Sequence, residues 1–478
     1  MQYLLFSVLL SSLFAVNFSD DISPIIYENC TSCHRSGEIA SFLPLTNYLE
    51  VYENRYWIAY AIEGDNERHG DPIMPPWPAD RNYSNLIDEM YLTEDDIHTI
   101  LDWIDTEALQ GNPANEYPMP NFPEGSNIGE ADIVLGMEEP FQITGNYTDN
   151  YRCFVLPTGF DEDKDISALE FRPGNLEVVH HAIIVAVSEG SVDDLDANDP
   201  GYGYECFGGF GTNNISDFLG GYAPGVITRE WPQGLAQKIP AHSDLIVQIH
   251  YAPSTTDMTD QSTINIFFKN EPVERYVKEE VLIDFQFMLP PNQITEVTAE
   301  WNIYQDISLI QFLPHSHLLG KSWEIYALTP FSNDTIPIIR INDWDFDWQF
   351  WYSPEYMIHL PQGSVVHASC IYDNTSNNPD NPNDPPEWTF WGESTTEEMF
   401  FVPFRYVDYE AGDENIYLGD DQPLIGDVNG DGDLNVLDVV SLVGVILNGG
   451  NETAACDVNG DGEINILDVV SLVNLILS

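Results

Sequence analysis

The stretch 176–187, LEVVHHAIIVAV, is one of three apolar runs that decide the fold of this chain. The others are 243–253, SDLIVQIHYAP, and 306–320, DISLIQFLPHSHLLG. Short runs rich in Val, Ile and Leu, separated by turn residues, are typical of strands in β-sandwiches and jelly rolls. The sequence therefore predicts antiparallel β domains in this part of the chain, with histidines at the ends of strands.

Two histidine pairs accompany these runs. Residues two apart on a strand face the same side, so His315 and His317 can converge on one metal ion. His180 and His181 are neighbours that ordinarily face opposite sides of a strand. They can bind one ion only at a strand end, at a bulge, or through different ring nitrogens.

An earlier motif, Cys30-Thr31-Ser32-Cys33-His34, has the spacing of a c-type haem attachment site. The two thiols would add to the haem vinyl groups, and His34 would be the proximal ligand of the iron. A redox dithiol and a zinc half-site are the alternatives, but neither a βαβ context nor a second ligand pair follows before residue 150. We therefore predict haem c in this segment.

The second axial ligand of that haem is predicted to be Met74, in the proline-rich stretch PIMPPW at 72–77. His69, Met90 and His98 are its competitors. Thr93 and the acids that follow it predict the start of a helix with Leu101, Trp103 and Ile104 on one face. Residues 20–117 thereby resemble a class I cytochrome c.

Four ordered motifs, VVHHAIIV, VQIHYAP, PHSHLLG and TTEEMFF, resemble those of the copper type II, ascorbate-dependent monooxygenases. This is the family of peptidylglycine α-hydroxylating and dopamine β-monooxygenases. The resemblance implies two facing β domains, an electron-supplying copper and an oxygen-binding copper. The ligands it implies for the first copper are His180, His181 and His250, and those for the second are His315, His317 and Met399. Gln248 resembles a residue proposed to lie between the metals, and the remaining histidines of this region, His242, His359 and His367, are interpreted as structural.

The ligand types agree with the roles implied for the two coppers, because a thioether ligand favours Cu(I), the oxidation state that binds dioxygen. Family chemistry implies insertion of one oxygen atom from O₂ into a substrate C–H bond, with ascorbate or another one-electron donor as reductant. Cys153 and Cys206 match a family disulfide, whereas the pairing of Cys370 and Cys456 is left open. The usual partner of Cys370 is replaced by Phe400.

The chain departs from the amidating enzymes at three positions that hold their substrate. Leu313 stands where they have an arginine, and Phe401 and Pro403 stand where they have asparagine and tyrosine. All three changes remove polar anchors, so we expect a small organic substrate that is more apolar than a peptidyl-glycine.

The C-terminal residues 422–478 contain two copies of one unit, GDVNGDGDLNVLDVVSLVGVIL and CDVNGDGEINILDVVSLVNLIL. The Asp-x-Asn-x-Asp-Gly spacing places oxygen ligands as in a calcium loop, and an acid at position 12 completes each set. Both loops resemble type I dockerins, which usually bind cohesins. Two calcium ions are predicted, one at Asp427, Asn429, Asp431 and Asp438 and the other at Asp457, Asn459, Asp461 and Asp468.

The composition bounds location and partners. The net charge is −64, with 79 acidic and 15 basic residues, which attracts cations and makes nucleic acid an unsuitable partner.

Residues 1–19 form an apolar leader that predicts a secretory signal cleaved between Ala15 and Ser19, although no Lys or Arg precedes it. A retained anchor is the alternative, but the run is shorter than the ~20 residues of a membrane span. The protein is expected to be exported to a periplasmic, cell-surface or extracellular location, with no membrane span in the mature chain.

With 478 residues the chain is long enough for three or four domains. We predict a cytochrome c-like all-α domain at 20–117, jelly-roll-like copper domains at 125–275 and 278–415, and a dockerin-like domain at 422–478. The predicted function is that of an exported dicopper monooxygenase that hydroxylates a C–H bond of a small organic substrate and is supplied with electrons by its own haem, by ascorbate or by both. The alternatives are a non-catalytic haem and copper electron-transfer protein, and a dockerin-bearing component of a surface assembly.

Overall fold

The computed structural model describes residues 16–63, 74–122, 125–330, 334–419, 424–429, 434–448, 454–459 and 464–477. Over these residues the chain forms several units, most of them built from antiparallel sheets, with a few helices. This confirms a multidomain, mainly β fold, whereas the jelly-roll connectivity stays a prediction. Within the same residues, no helix is both long and apolar enough to cross a membrane.

The N-terminal helical unit contains a π-helical turn at Phe18–Ile22 and helices α1 (Ser23–Asn29), α2 (Tyr48–Glu63) and α3 (Glu94–Asp105). Thr93 caps α3 as predicted, because its side chain accepts from Asp96 N while the Asp96 carboxylate accepts from Thr93 N. Trp103 is fully buried in the core of this unit, and its Nε1 donates to Leu109 O at 2.9 Å.

Most of the predicted signal peptide, residues 1–15, lies outside the described residues. Phe18, however, is fully buried against Tyr27, Tyr48 and Trp103, and its backbone N donates to Leu109 O. Cleavage after Ser19 would remove this core residue. The structure therefore favours cleavage at the earlier end of the predicted range.

The strands of the first β unit are β1 (Ile133–Gly136), β2 (Phe141–Ile143), β3 (Asn150–Pro157), β4 (Lys164–Arg172), β5 (Val179–Ser188), β6 (Tyr204–Glu205), β7 (Ile215–Tyr222), β8 (Leu235–Ile239), β9 (Ser243–Tyr251), β10 (Met258–Asp260), β11 (Thr263–Phe268) and β12 (Arg275–Tyr276), and short helix α4 (Asp193–Asn198) follows β5. The strands form two five-stranded sheets and a two-stranded one, with strand orders β1-β11-β4-β8-β12, β6-β3-β9-β5-β7 and β10-β2. Buried Ile166 and Ile266 of one large sheet share a core with Ile184 and Val247 of the other, so the two sheets pack face to face.

The second β unit contains two four-stranded sheets, β13-β22-β16-β19 and β15-β20-β17-β18, and the pair β14-β21. Its strands are β13 (Lys278–Ile283), β14 (Met288–Leu289), β15 (Gln293–Asn302), β16 (Ile307–Phe312), β17 (Gly320–Leu328), β18 (Thr335–Ile341), β19 (Ile358–Leu360), β20 (Val365–Asn374), β21 (Thr389–Phe390) and β22 (Phe401–Asp408). Trp323 and Phe404 come from the two larger sheets and lie in one buried cluster.

A segment between α2 and α3 packs on the second β unit and not on the helical core. Trp77 packs against Phe350 and Tyr352, and Asp80 N donates to Arg340 O at 2.7 Å. The segment between α2 and α3 therefore attaches the helical unit to the second β unit.

The two β units are joined by a buried ion pair. The Arg275 guanidinium, at the end of the first unit, donates to both carboxylate oxygens of Asp413 at 2.7 and 2.8 Å, and Ser308 Oγ donates to the same group. Burial alone would raise the pKa of Asp413, but the hydrogen bonds from Arg275, Glu410 N and Ser308 hold it below its ordinary value of 3.8. The carboxylate is therefore a stabilising group only while it is ionised.

We predict that Arg275→Ala lowers the free energy of unfolding by about 3 kcal/mol, because it leaves the Asp413 charge buried without its partner. Since the folded pKa of Asp413 is lowered, the stability from this pair is complete above about pH 4 and is lost as the pH falls below it. Denaturant titrations followed by tryptophan fluorescence at pH 7 and pH 3.5 measure both effects. Arg340→Ala is the control, since Arg340 pairs with Glu324 at the surface and its loss should cost less than about 1 kcal/mol.

The C-terminal repeat contains α5 (Val436–Asn448) and α6 (Ile466–Leu477), each of which follows one predicted calcium loop. The two helices pack through buried Leu442, Val469 and Leu472, and Cys456 from the segment between them lies in the same cluster. The repeat thus has a small core of its own.

Candidate metal centres

Three histidines meet where β5 and β9 pair in the first β unit. His181 lies opposite His250 and Val179 lies opposite Tyr251, so residue 180 is the extra residue of a β-bulge. A bulge is one of the conditions under which adjacent histidines can face the same side. The ligand atoms of His180, His181 and His250 lie within 4.8 Å of one another.

The ring nitrogens show which atoms would bind a metal ion. His181 Nδ1 is 3.2 Å from His180 Nδ1 and 3.4 Å from His250 Nδ1. His250 Nε2 is 2.7 Å from Asp149 Oδ1, so the carboxylate holds a proton on that nitrogen and leaves Nδ1 as the lone-pair donor. Three converging imidazole nitrogens with a carboxylate behind one of them fit a copper or zinc ion.

The protonation state of this cluster favours metal binding. Burial, followed by the neighbouring His250, lowers the pKa of His180 to about 4. Burial also lowers the pKa of His181 well below its ordinary value. Both imidazoles are therefore neutral at pH 7, with lone pairs available to a cation.

The second histidine pair lies just after β16 in the second β unit. His315 forms an isolated antiparallel bridge with Phe401, two residues after Met399. His315 Nδ1 is 2.5 Å from Gln349 Oε1, and His317 Nδ1 is 3.2 Å from Glu397 O. Both acceptors hold the proton on Nδ1, so Nε2 of each ring is left as the metal donor.

Burial lowers the pKa of His315 to about 4 and that of His317 to about 3, so these rings are also neutral at pH 7. Two imidazoles together with a thioether would form a ligand set that suits Cu(I), and the place of the Met399 sulfur in it stays a prediction. The chemistry of the residues therefore fits the second copper of the sequence prediction.

Glu398 holds this ligand loop in place. Its carboxylate is fully buried and accepts hydrogen bonds from the backbone N of His317, from Leu319 N at 2.9 Å and from Met399 N at 3.0 Å. The same side chain thus fixes the backbone of two predicted ligands. Glu398 is not among the residues predicted from the sequence, although its place beside Met399 was a signal.

The two histidine groups face each other across a single aromatic ring. The Phe346 ring is stacked on His180 with a centroid distance of 5.7 Å and meets His317 edge-on at 5.8 Å. Phe346 is far from both motifs in sequence, and no pattern identified it. The two candidate centres therefore lie on either side of this ring where the β units meet, and we call this region the cleft.

Gln248 lies two residues before His250 on β9, but its amide Nε2 donates to Cys206 O at 2.9 Å. The structure thus orients this amide toward the disulfide segment, and a role between the metals stays a prediction. His359 is stacked on Tyr409 and His367 on Tyr326, which agrees with a structural role for both. His242 forms a surface pair with Glu189.

Cys153 and Cys206 form a disulfide, with a Cα–Cα distance of 5.8 Å, as predicted. It joins β3 to the segment after β6, and β3 pairs with β9, the strand that carries His250. Cys370, whose pairing was left open, is a fully buried thiol.

The predicted haem motif lies at the end of α1. Cys30 and Cys33 are both thiols, and burial raises the pKa of Cys30 to about 12. His34 Nδ1 is 2.9 Å from Leu43 O, which leaves His34 Nε2 as the donor to an iron atom. The available thiols and the oriented imidazole fit a covalently attached haem.

The predicted second axial ligand, Met74, is half-buried, and its backbone N donates to Ala61 O at 3.0 Å. Its competitor His69 lies outside the described residues. The assignment of Met74 to the iron stays a prediction.

The two calcium loops have the same internal hydrogen bonds. Asp438 is fully buried, and its carboxylate accepts from Asn429 N at 3.3 Å and from Asn435 N at 2.8 Å. In the second loop, Asp468 accepts from Asn459 N at 3.1 Å and from Asn465 N at 2.8 Å. Each position-12 acid thus points back into its loop, beside Asp427 and Asn429 or Asp457 and Asn459. The remaining ligands, Asp431 and Asp461, lie outside the described residues.

We predict that removing calcium unfolds the C-terminal repeat. Two buried carboxylates among other acids need a cation, and each site filled at 100 times its Kd stabilises the fold by about 2.7 kcal/mol. Addition of a chelator should abolish the α5 and α6 contribution to far-UV circular dichroism, and excess calcium should restore it. Asp438→Ala with Asp468→Ala should give the same loss in the presence of calcium, while a chelator-insensitive helix signal would contradict the prediction.

Comparisons with known proteins identify this repeat. No curated protein sequence is significantly similar to the chain. Similar solved structures include the VP2 subviral particle of infectious bursal disease virus, at 9% identity over 62% of this chain and 76% of that one, with a TM-score of 0.17. Another is the STIV MCP, at 10% identity over 51% of this chain and 94% of that one, also with a TM-score of 0.17. At these TM-scores neither likeness supports an argument about fold or function. Residues 425–477 match the family model of the dockerin type I domain, and the C-terminal repeat is therefore a dockerin type I domain.

Proposed function

We propose that this protein is an exported component of an extracellular or surface assembly, attached through its dockerin domain, and that its β units form a dicopper monooxygenase. The assembly role is supported by the family match at 425–477. The observation that supports the enzymatic role is the arrangement of five imidazoles in two groups that contact one ring, Phe346, where the β units meet.

The residues divide into two ligand sets. His180, His181 and His250 would hold one copper through Nδ1, and His315 and His317 through Nε2, with Met399, would hold the other. When bound, the first copper would supply single electrons and the second would activate dioxygen. One oxygen atom would enter a substrate C–H bond and the other would leave as water, which consumes two electrons and two protons.

The protein side chains prepare this reaction in several ways. Asp149, Gln349 and the carbonyl of Glu397 fix the proton on the non-ligating nitrogen of His250, His315 and His317. Burial lowers the pKa of His180, His181, His315 and His317 and so keeps these four imidazoles neutral.

The attached haem is proposed to supply the electrons, in place of ascorbate or as a relay from it. Burial raises the pKa of Tyr222, and the charges of Glu38 and Cys33 raise it further, which supports a position of the haem motif near the end of β7. Tyr222 pairs with Ala182, the neighbour of His181. A haem at Cys33 would therefore lie beside the strand that carries the electron-supplying ligands.

The dockerin domain is proposed to bind a cohesin-like partner. The positions that are usually polar in dockerins are Val436, Leu437, Ile466 and Leu467, and all four side chains are exposed. We infer that the partner presents an apolar surface to them.

The test of the enzymatic proposal is a substrate screen under ¹⁸O₂ with the copper-loaded, haem-containing chain. We expect two copper ions per chain, ¹⁸O in an alcohol product, and oxidation of the reduced haem on rapid mixing with substrate. Two bound copper ions without label in any product would favour the non-catalytic electron-transfer alternative. Label incorporation with a haem that stays reduced would refute only the relay.

A further inference from the structure

The ring of Phe346 occupies the gap between the two histidine groups. It belongs to the loop that precedes Gln349 in the second β unit, yet it stacks on His180 of the first β unit at an interplanar angle of 27°. Its edge contact with His317 is nearly perpendicular, at 88°. One phenylalanine thus contacts a predicted ligand of each metal.

The position of this ring is fixed by the same residue that orients His315. Gln349 Nε2 donates to Phe346 O at 2.6 Å, while Gln349 Oε1 accepts from His315 Nδ1 at 2.5 Å. Gln349 is buried, so both contacts are sheltered from water. The backbone of Phe346 and the imidazole of His315 are therefore held in one arrangement.

A second phenylalanine extends this aromatic surface. Phe401 meets the His315 ring edge-on, with a centroid distance of 6.2 Å and an interplanar angle of 88°. Each imidazole of the His315 and His317 pair therefore has a phenylalanine ring against it. The net charge of −64 adds a long-range field that disfavours anionic substrates.

We propose that Phe346 is the specificity-determining residue of this cleft, and that together with Phe401 it selects an uncharged apolar group, such as a single aromatic ring or a short alkyl chain. This inference rests on the proposed function. The substrate C–H bond would pack on the two rings beside His315 and His317, without an ionic anchor. Phe346 would set the upper limit of substrate size, because its ring fills the space between the two histidine groups.

The experiment uses the full chain loaded with Cu(II), without reductant, so that no turnover occurs. Benzyl alcohol, 2-naphthylmethanol and benzoate are the probes, and binding is measured by the relaxation of their ring protons by the paramagnetic ion. We expect wild-type protein to bind benzyl alcohol at least about tenfold better than 2-naphthylmethanol, since a pocket discriminates by such factors when a group does not fit. Benzoate should bind more weakly than benzyl alcohol.

Phe346→Ala should remove the preference for the smaller alcohol, because deleting a phenyl ring opens an apolar space in which another ring fits. Phe346→Leu should give an intermediate preference. Phe207→Ala is the matched control, since Phe207 lies near the cleft against Tyr151 without contacting either histidine group, and it should keep the wild-type preference. Copper content and circular dichroism report whether each variant is folded and loaded.

An unchanged preference in a folded, copper-loaded Phe346→Ala variant would overturn the inference, as would equal binding of benzoate and benzyl alcohol by the wild type. Failure of the proposed function has a different signature, which is less than two copper ions in the wild type or absence of ¹⁸O in all products. The two proposals can therefore fail separately.

Discussion

Replacing His181 with alanine is expected to lower the copper content from two ions per chain to one and to reduce O₂-dependent turnover by about 1,000-fold. His181 Nδ1 lies between the other two donors, 3.2 Å from His180 Nδ1 and 3.4 Å from His250 Nδ1. Its removal leaves two ligands at this site. Loss of a residue that only hydrogen-bonds to a metal ligand costs about 10- to 100-fold in metal affinity, so loss of a ligand itself should cost at least about 100-fold. The second ion should remain, because its ligands belong to the other β unit.

Metal analysis after gel filtration measures the copper content, and oxygen consumption with reduced haem measures turnover. His367→Ala is the matched control, since His367 is a partly buried histidine that pairs with Glu300 and stacks on Tyr326, away from the cleft. The control should keep two ions and most of the activity. If His181→Ala retained both ions, or if His367→Ala lost one, the three-histidine assignment would be wrong.

The part of the site that could be predicted from sequence is the part encoded by local spacing. His315 and His317 are two residues apart, and strand geometry places such residues on one face. The Asp-x-Asn-x-Asp-Gly loops and the Cys-x-x-Cys-His motif are likewise short patterns with fixed geometry. For the adjacent His180 and His181, strand geometry alone allowed a strand end, a bulge or the use of different ring nitrogens. The register between β5 and β9 shows that a β-bulge is present.

The remaining parts depend on contacts between residues distant in sequence. Asp149 reaches His250 across 101 residues, and Gln349 reaches His315 across 34. Phe346 meets His180 only because the two β units lie against each other. Periodicity and local motifs contain no information about such pairs, so their residue types alone gave no reason to choose them.

The domain boundaries show the same limit. The segment that includes Trp77 and Asp80 lies inside the stretch predicted as one cytochrome-like domain, yet it packs on the second β unit. Its apolar residues resemble those of any core, and sequence cannot show which core they join. This packing attaches the helical unit to the second β unit.

Replacing Glu398 is expected to remove the second copper while leaving the first. Glu398 Oε1 accepts from His317 N and Met399 N, and Oε2 accepts from Leu319 N. Glu398→Ala leaves three buried backbone donors without an acceptor, at about 1–3 kcal/mol each, so the ligand loop should rearrange. We predict at least an about 100-fold loss of copper affinity at His315, His317 and Met399, by analogy with ligand-supporting residues of other metal sites.

Glu398→Gln distinguishes positioning from a general loss of stability. A glutamine keeps one acceptor oxygen for His317 N and Met399 N but turns an amide N–H toward Leu319 N, so copper affinity should fall to an intermediate value. The neighbouring Glu397→Gln is the matched control, because the Glu397 side chain is exposed and His317 is held by its backbone carbonyl. X-ray absorption at the copper edge reports the thioether directly, and its sulfur signal should vanish in Glu398→Ala and persist in Glu397→Gln. A sulfur signal of wild-type size in folded Glu398→Ala would show that the loop holds Met399 without the carboxylate.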